Sequence, residues 1–280
     1  MPVNATRLVR KMRGGAQAHL FECDDGGFYV VKFRNNPQHR RVLVNEWISS
    51  VFLRHLQIAA PSAAIVNLSV EFLEAASDVS MQLGSSAVRP EPGWHFGSQF
   101  PGDPSRMAVY DFLPDVLLGQ VANAAEFPGI FAFDKWMGNA DARQAIFFRA
   151  RLRPPTSEPA GDAAPRVGFL AQMVDHGYVF DGPHWTFADS PLRGLYFRHS
   201  VYSRVRSWED LQPWLDRIVN FPEEVIDDAV KRMPPEWVAD DDPALRQLLH
   251  QLMRRRKRVP ELIREAATGP TRPFPNWRAH

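Results

Sequence analysis

The chain has 280 residues, with 33 Lys and Arg against 32 Asp and Glu, so its formal charge is +1. A balance this even disfavours a protein that coats nucleic acid. Hydrophobic residues make up 45% of the chain and charged residues 23%, which is typical of a globular protein. The single cysteine, Cys23, excludes an intramolecular disulfide and a cysteine-based zinc site. We find no apolar stretch of the roughly 20 residues that a membrane span needs and no apolar signal-peptide core, so we expect a cytoplasmic protein without a membrane partner.

The N-terminal third predicts a small sheet with one helix. Residues 17–33 hold two apolar runs around the sequence DDGG, which predicts a β-hairpin because Asp and Gly supply the positive φ of a tight turn. Asn36 followed by Pro37 predicts the start of a helix whose apolar residues recur every four positions. The short apolar runs at 63–66 and 70–73 predict further strands.

The middle of the chain predicts a connector and then a second lobe. Residues 84–115 are rich in Gly and Pro, which is typical of a connection between lobes. Two helices and then two strands are predicted, at 114–125, 127–137, 145–148 and 167–175. A polar low-complexity loop at 153–165 separates the two strands.

The last hundred residues predict a series of helices. Ser207 with Asp210 indicates one helix start, and Pro222 and Pro243 indicate two more. Pro260 is expected to break the third of these helices, because proline lacks the backbone N–H group that a helix interior uses. The final residues, rich in proline, predict an extended and poorly ordered tail.

Lys32 is the first candidate functional residue, because it lies in the apolar strand FYVVKF. A buried ammonium group costs several kcal/mol unless it is paired. Glu46, in the helix that follows, is a candidate partner, and the pair would present a fixed positive charge to the phosphates of ATP. The alternative is a solvent-facing lysine on an edge strand and an exposed glutamate.

A glycine-containing turn precedes the first strand of the hairpin. Gly14, Gly15 and Gln17 form part of the sequence GGAQ, and small residues there let backbone N–H groups approach phosphates closely. The alternative is a turn without a ligand.

Asp141 lies in the polar sequence GNADARQ between a predicted helix and a predicted strand. A carboxylate in such a loop can accept a hydroxyl proton and orient the acceptor. Arg143 could neutralise charge nearby, and Gln144 offers a neutral oxygen ligand to Mg²⁺. The alternative is an Asx turn. Asp134, earlier in the helix, is expected to cap or pair locally.

Asp175 ends an apolar strand and is followed by His176 and Gly177. A carboxylate at a strand end, with a glycine that lets the chain turn, suits a Mg²⁺ ion that bridges phosphates. The alternative is an Asp-x-Gly turn without a metal.

These features follow the order of a protein-kinase-like phosphotransferase: a hairpin with a Lys, a helix with a Glu, a loop with an Asp, and a strand that ends in Asp-x-Gly. Four sequences, RGGAQAHLFECDDGGFYVVKF, VLVNEW, FDKWMGNADARQAIFF and MVDHGYVF, resemble the HipA-like kinase family over roughly residues 10–180. The Asn-x-Asp loop also resembles that of the phosphatidylinositol kinases.

The resemblance implies an α+β, two-lobed protein-kinase-like fold. A small β-rich N-lobe is expected over residues 1–95, a larger and mostly helical C-lobe over 96–268, and an extended tail over 269–280. ATP and Mg²⁺ would bind between the lobes. The γ-phosphoryl group would pass to a hydroxyl group, most simply on Ser or Thr of a protein or of the chain itself.

The resemblance also implies individual roles. Lys32 would contact the ATP phosphates, Glu46 would anchor Lys32, and the turn at Gly14, Gly15 and Gln17 would also bind the nucleotide. Asp141 would be the catalytic base.

Asp175 would be the chief Mg²⁺ ligand. Many such kinases have an Asn as second metal ligand five positions after the catalytic Asp, but the chain has Ile146 there. Gln144 could take its place in a shortened loop. If it cannot, the chain is a catalytically weak pseudokinase that serves as a nucleotide-binding or regulatory module.

Two other functions are compatible with parts of the sequence. A metal-dependent hydrolase could use Asp175, His176, Asp181, His184 and His199, although their spacing matches no familiar ligand set. The basic run RRRKR at 254–258 could bind nucleic acid, but basic residues late in a helix are usually a solvated face.

An aromatic cluster, WHFGSQFPG, contains Trp94, Phe96 and Phe100. These rings could line an adenine pocket, cover an acceptor groove, or pack where the lobes meet.

Overall fold

The structure is a computed structural model that describes residues 2–152 and 166–278. The predicted low-complexity loop at 153–165 lies outside the described residues. The strands are β1 (Val3–Lys11), β2 (His19–Cys23), β3 (Phe28–Lys32), β4 (Ala63–Leu68), β5 (Met81–Leu83), β6 (Ser86–Val88), β7 (Gly93–Gln99), β8 (Val109–Tyr110), β9 (Gln144–Leu152) and β10 (Arg166–Val174). The α-helices are α1 (Arg41–Leu56), α2 (Val70–Ala75), α3 (Asp115–Leu118), α4 (Phe127–Met137), α5 (Trp214–Val219), α6 (Glu223–Lys231), α7 (Pro235–Val238), α8 (Asp242–Arg255) and α9 (Val259–Thr268).

The N-terminal lobe is built on a closed barrel with the strand order β1-β2-β3-β7-β4. The strands pair antiparallel except for β1 and β4, whose parallel pairing closes the barrel. Phe21, Val31, Phe33 and Val66 are fully buried in its core. Closure leaves this small sheet without free edges among the paired strands, which stabilises it as a unit.

The predicted hairpin is present as β2 and β3, and Phe21 lies opposite Tyr29. Gly26 has a φ of 76° in the turn, and the Asp25 carboxylate accepts a hydrogen bond from the Gly27 N–H at 2.9 Å. The hairpin is therefore confirmed, with Gly26 taking the predicted positive φ and Asp25 contributing through its side chain.

Two local predictions in this lobe are wrong. The long helix begins at Arg41, because the Asn36 side chain closes a turn instead: its amide donates to the Phe33 carbonyl at 2.7 Å and its oxygen accepts from the Gln38 N–H at 2.9 Å. The run at 70–73 is part of α2 rather than a strand, because the Ser69 hydroxyl caps that helix.

The glycine-rich and proline-rich segment at 84–115 is not only a connector, because it contains β6, β7 and β8. Strand β7 lies between β3 and β4 in the barrel. At Gly97 a Cβ atom would stand 2.5 Å from the Val66 side chain, so glycine permits the close approach of β7 to β4. Strand β7 also runs across residues 95 and 96, where the sequence analysis divides the lobes.

The C-terminal lobe is mainly helical, with one sheet in the order β10-β9-β8. All residues of α4 are buried, and the Trp136 ring stacks on Phe52 of α1 at a centroid distance of 5.3 Å. The helix predicted at 114–125 is only the short α3, because the chain after it turns to pair Val121 with Phe169 of β10. The two strands predicted at 145–148 and 167–175 are confirmed as β9 and β10.

The last part of the chain is helical, as predicted. Ser207 and Asp210 form a capping box. The helical stretch that starts near Pro243 is interrupted at Pro260, as predicted: α8 ends at Arg255 and α9 begins at Val259, with Pro260 in its first turn, where its missing N–H group costs nothing. Phe274, in the predicted tail, is buried against Phe131, so apolar contact orders this segment.

No helix in the described ranges is long and apolar enough to cross a bilayer. The small barrel lobe and the mainly helical lobe together confirm the predicted two-lobed α+β fold.

Candidate active site

A cleft of about 550 Å³ lies where the barrel faces the β8–β10 sheet. It brings together all the residues that the sequence predicts for ATP binding, Mg²⁺ binding and catalysis, namely Gly14, Gly15, Gln17, Lys32, Glu46, Asp141, Gln144 and Asp175. These residues come from separate parts of the chain: the turn before β2, β3, α1, the loop after α4, the start of β9 and the end of β10. Their convergence is a property of the fold rather than of any one segment.

Lys32 is the centre of the site. Its Nζ donates to the Glu46 carboxylate and, at 2.8 Å, to Oδ1 of Asp175. Burial opposes the charge of Lys32, but the carboxylates of Glu46 and Asp175 outweigh burial and raise its pKa above the ordinary value. The amine is therefore a permanent cation held between two acidic groups, and the solvent-facing alternative is wrong.

Helix α1 is fastened to the segment after Asp175. Glu46 accepts a hydrogen bond from the His176 N–H at 3.1 Å as well as from Lys32. The adjacent Asn45 is fully buried, donates to the Gly177 carbonyl at 2.8 Å and accepts from the Trp185 indole at 2.9 Å. The helix that supplies the lysine partner thus also fixes the turn behind the candidate metal ligand. Sequence reasoning missed Asn45, whose only signal is a polar residue within a broad apolar helix face.

Asp175 has a φ of 59°, in the left-handed region that Asp tolerates better than most residues. Lys32 is the largest influence on this carboxyl and holds its pKa below the ordinary value against the effect of burial. Its second oxygen, Oδ2, accepts from the Gln144 amide at 3.1 Å. Gln144 is therefore adjacent to Asp175. Rotation of the Gln144 terminal amide would place its oxygen, rather than its nitrogen, beside Oδ2 of Asp175.

Asp141 is exposed on the loop that follows α4. Helix α4 ends at Met137 and is followed by Gly138, which has a φ of 61°. The Asp141 N–H then donates to the Asn139 side chain at 3.1 Å, and Asp141 Oδ1 accepts from the Ala142 N–H at 2.8 Å. The Asx turn that was the alternative for this loop is thus present, and it holds the Asp141 carboxylate in the cleft.

The position of Arg143 differs from the prediction. It was expected to neutralise charge at the loop, but its side chain is fully buried and its Nε donates to Asp134 at 2.8 Å. Asp134 pairs locally, as expected, and Arg143 is its partner. Sequence reasoning could identify both charges but not their depth.

The glycine turn lines the cleft with its backbone. Gly14 has a φ of 121°, and the Gln17 N–H donates to its carbonyl at 3.1 Å. The Gln17 side chain is committed elsewhere: its amide donates to the Gln82 carbonyl at 2.5 Å and accepts from the Gln82 N–H at 2.6 Å. The backbone of Gly14 and Gly15 is therefore the part of this turn that a ligand can approach. The Gln17 side chain instead anchors the turn to β5.

The aromatic cluster divides between two roles. Phe96 and Phe100 line the cleft, together with the apolar side chains of Val30, Ile146 and Val174, which the sequence analysis did not place there as a set. The Trp94 ring is exposed, and it is the backbone carbonyl of Trp94 that accepts a hydrogen bond, from the Trp237 indole at 2.9 Å. The cleft therefore has an apolar part beside its charged part.

The two other functions suggested by the sequence have little support in the structure. Over residues 2–152 and 166–278, no three His, Cys, Asp or Glu side chains are grouped so that they could hold a metal ion, so the hydrolase set does not converge. In the basic run at 254–258, Arg255 is buried and pairs with Asp189, and Arg256 donates to the Phe221 carbonyl. The run is therefore not a continuous exposed patch.

Comparison with known proteins identifies the family. The family model described as HipA-like kinase matches residues 5–146, just over half of the chain. The chain belongs to the HipA-like kinase family. The match includes Lys32, Glu46 and Asp141 and ends before Asp175. This HipA-like chain is accordingly a kinase-type phosphotransferase by family.

Other comparisons are more distant. No curated protein matches the HipA-like chain. Among solved structures, a Golgi casein kinase with Mn and ADP bound is similar at a TM-score of 0.49 and 14% identity, over 95% of this chain and 73% of that one. A second structure of the Golgi casein kinase has a TM-score of 0.48 at the same identity and the same coverage.

Proposed function

We propose that the chain transfers the γ-phosphoryl group of MgATP to a hydroxyl group. The observation that carries this proposal is the placement of Lys32, which contacts both Glu46 and Asp175 in a cleft that also holds Asp141. A kinase reaction needs a fixed cation for phosphates, a carboxylate for a metal ion and a carboxylate for a proton. Each of these groups is available in one cleft.

The charges of the site suit a metal-bound triphosphate. Lys32 remains protonated because two carboxylates flank it, so it can bind phosphate oxygens as a preorganised cation. Asp175 remains ionised because Lys32 lowers its pKa, and an ionised carboxylate is a ligand that Mg²⁺ prefers. Gln144 would complete the protein's share of the ligands. A bound Mg²⁺ ion would supply charge neutralisation on the phosphates.

The apolar part of the cleft suits the base of the nucleotide. Ile146 and Val174 lie on one side and Val30 belongs to the barrel, so a planar ring could lie between the two lobes. This arrangement gives Ile146 a role in nucleotide binding at the position where related kinases have a second metal ligand.

The proposed reaction uses Asp141 as its base. The acceptor oxygen forms a bond to the γ-phosphorus while the bond from that phosphorus to the β,γ-bridging oxygen breaks, and ADP leaves. The proton of the acceptor hydroxyl passes to the Asp141 carboxylate. Asp141 is exposed, which allows access for an acceptor from solvent. A Ser or Thr hydroxyl of a protein, or of the chain itself, fits this access best.

The test is the substitution Asp141→Asn. We expect ATP turnover to fall by a factor of about 100 or more, because general base catalysis contributes about that much, while MgATP binding stays within about threefold because the phosphate and metal ligands remain. Asp227→Asn on the exposed surface of α6 is the matched control and should keep full turnover. Equal turnover of the Asp141→Asn variant and the wild type would refute the assignment of the base.

A second candidate function is a pseudokinase, and the observation that favours it is Ile146 in the cleft. This function predicts that MgATP raises the melting temperature of the wild type while γ-phosphate release stays at the buffer rate. The phosphotransferase function predicts both stabilisation and turnover, so the two measurements together separate the two candidates.

A further inference from the structure

A buried carboxylate lies directly beneath the candidate catalytic loop. Asp134 of α4 is fully buried and accepts hydrogen bonds from Nε of Arg143 at 2.8 Å and from the Asn139 amide at 3.0 Å. Among the described residues, Asp134 and Arg143 are absent from the lining of the nucleotide cleft. Neither side chain can therefore contact a ligand in the cleft directly.

One branch of the network leads from Asp134 to Asp141. The Asn139 amide nitrogen donates to Asp134, and the oxygen of the same amide accepts from the Asp141 N–H at 3.1 Å. The Asn139 N–H also donates to the Asp134 carbonyl at 3.0 Å. The backbone position of the proposed base is thus set from the end of α4.

A second branch leads from Asp134 to Asp175 through Arg143. The guanidinium group pairs with Asp134 and also donates from Nη1 to the Val174 carbonyl at 2.7 Å. Val174 is the last residue of β10 and directly precedes Asp175. The end of the strand that carries the proposed metal ligand is thus held by the same ion pair.

The segment at Gly194 and Leu195 packs against the Asp134–Arg143 ion pair. The Gly194 N–H donates to the Asp141 carbonyl at 3.2 Å, and the Arg143 N–H donates to the Leu195 carbonyl at 3.1 Å. Gly194 has a φ of 72°, and a Cβ atom there would collide with the Asp134 side chain. This packing excludes water from the ion pair, so its hydrogen bonds are not weakened by solvent.

We infer that Asp134 and Arg143 are positioning residues, which hold the proposed base Asp141 and the proposed metal ligand Asp175 at a fixed separation. The inference rests on the proposed function. In-line transfer requires that the acceptor oxygen, the γ-phosphorus and the metal be aligned, and a displacement of about 1 Å can cost a factor of about 100 in rate. Loss of this pair should therefore lower kcat by a larger factor than ATP affinity.

The test uses the conservative variant Arg143→Lys, because removal of either charge alone would leave a buried ion without a partner and could unfold the chain. Lysine keeps the positive charge but lacks the planar fork that contacts Asp134 and the Val174 carbonyl together. We expect a folded protein whose dissociation constant for MgATP stays within about threefold, while kcat falls by roughly 100-fold. Leu73→Ala, a buried change on α2 in the core of the N-terminal lobe, is the control for a general loss of stability.

The readout that decides is structural and does not depend on turnover. In a crystal structure of Arg143→Lys, the separation of the Asp141 and Asp175 carboxylates should change by more than about 0.5 Å, the tolerance of a productive site. An unchanged separation of the two carboxylates in Arg143→Lys would overturn the inference. If the wild type turns over ATP, an equal kcat of Arg143→Lys would overturn it as well. A changed separation in a protein whose wild type never turns over ATP would support the positioning role and refute the proposed function.

Discussion

Gly177 gives the sharpest steric prediction, because it lies where the segment after Asp175 crosses α1. A Cβ atom at this position would stand 2.7 Å from Cγ1 of Val42, and 3.5 Å from both Oε1 of Glu46 and Nζ of Lys32. Val42 is fully buried, so it has little room to yield. The change Gly177→Ala should therefore push this segment away from the helix that holds the lysine.

The size of the effect follows from the packing. An added methyl group in a tightly packed interior costs about 1–3 kcal/mol, and the 2.7 Å contact is short enough that a neighbour must move. We expect the free energy of unfolding to fall by about 2 kcal/mol. The Asn45 and Glu46 hydrogen bonds to this segment would be strained as well, so MgATP affinity should also fall.

Urea denaturation of four proteins measures this effect: the wild type, Gly177→Ala, Val42→Ala and the double variant. Removal of the Val42 methyl groups makes room for the new Cβ, so the double variant should be more stable than the sum of the single changes predicts, by about 1 kcal/mol or more. Gly119→Ala is the control, because a Cβ there meets only the Asp115 carbonyl at 3.9 Å. A coupling energy below about 0.5 kcal/mol would refute the steric explanation.

The remaining predictions concern two buried ionisable groups. Lys32→Met leaves the Glu46 and Asp175 carboxylates facing each other without a cation. We therefore expect a loss of about 3 kcal/mol in the free energy of unfolding and at least about a tenfold loss in MgATP affinity. An unchanged affinity in calorimetric titration would refute the role of the lysine. His95 is buried in the barrel, and burial is the main cause that lowers its pKa from 6.5 to about 3. The unfolded chain therefore binds more protons than the folded chain between these pH values, so stability should fall as the pH falls below 6.5. Between pH 7 and pH 5 urea denaturation should find that the wild type loses about 2 kcal/mol more than His95→Gln, and an equal loss in both proteins would contradict this reasoning.

Some of the site could be predicted from the sequence because each signal had a local physical cause. A lysine in an apolar strand needs a partner, and the next helix carries Glu46 on its buried face. In the hairpin turn Gly26 takes the positive φ that glycine adopts without strain, and the Asp25 side chain accepts from the Gly27 N–H. In these places local chemistry and tertiary structure agree.

Other features depended on contacts between distant segments. Strand β7 has a composition typical of a loop, and only its position between β3 and β4 makes Gly97 favourable there. Arg143 belongs to a polar sequence, yet it is buried because Asp134 and the Val174 carbonyl lie within its reach. Sequence shows that a residue carries a charge, but the burial of that charge depends on the fold.

The central claim is that Lys32, Asp141 and Asp175 surround a metal-bound triphosphate in the cleft between the lobes. A crystal structure with a non-hydrolysable MgATP analogue tests it most directly. We predict a metal ion bound by Asp175 and a γ-phosphate beside both Lys32 and Asp141. A nucleotide found instead in the other cavity of about 550 Å³, beside Ser203 and Trp214 in the C-terminal lobe, or a metal ion remote from Asp175, would contradict the claim.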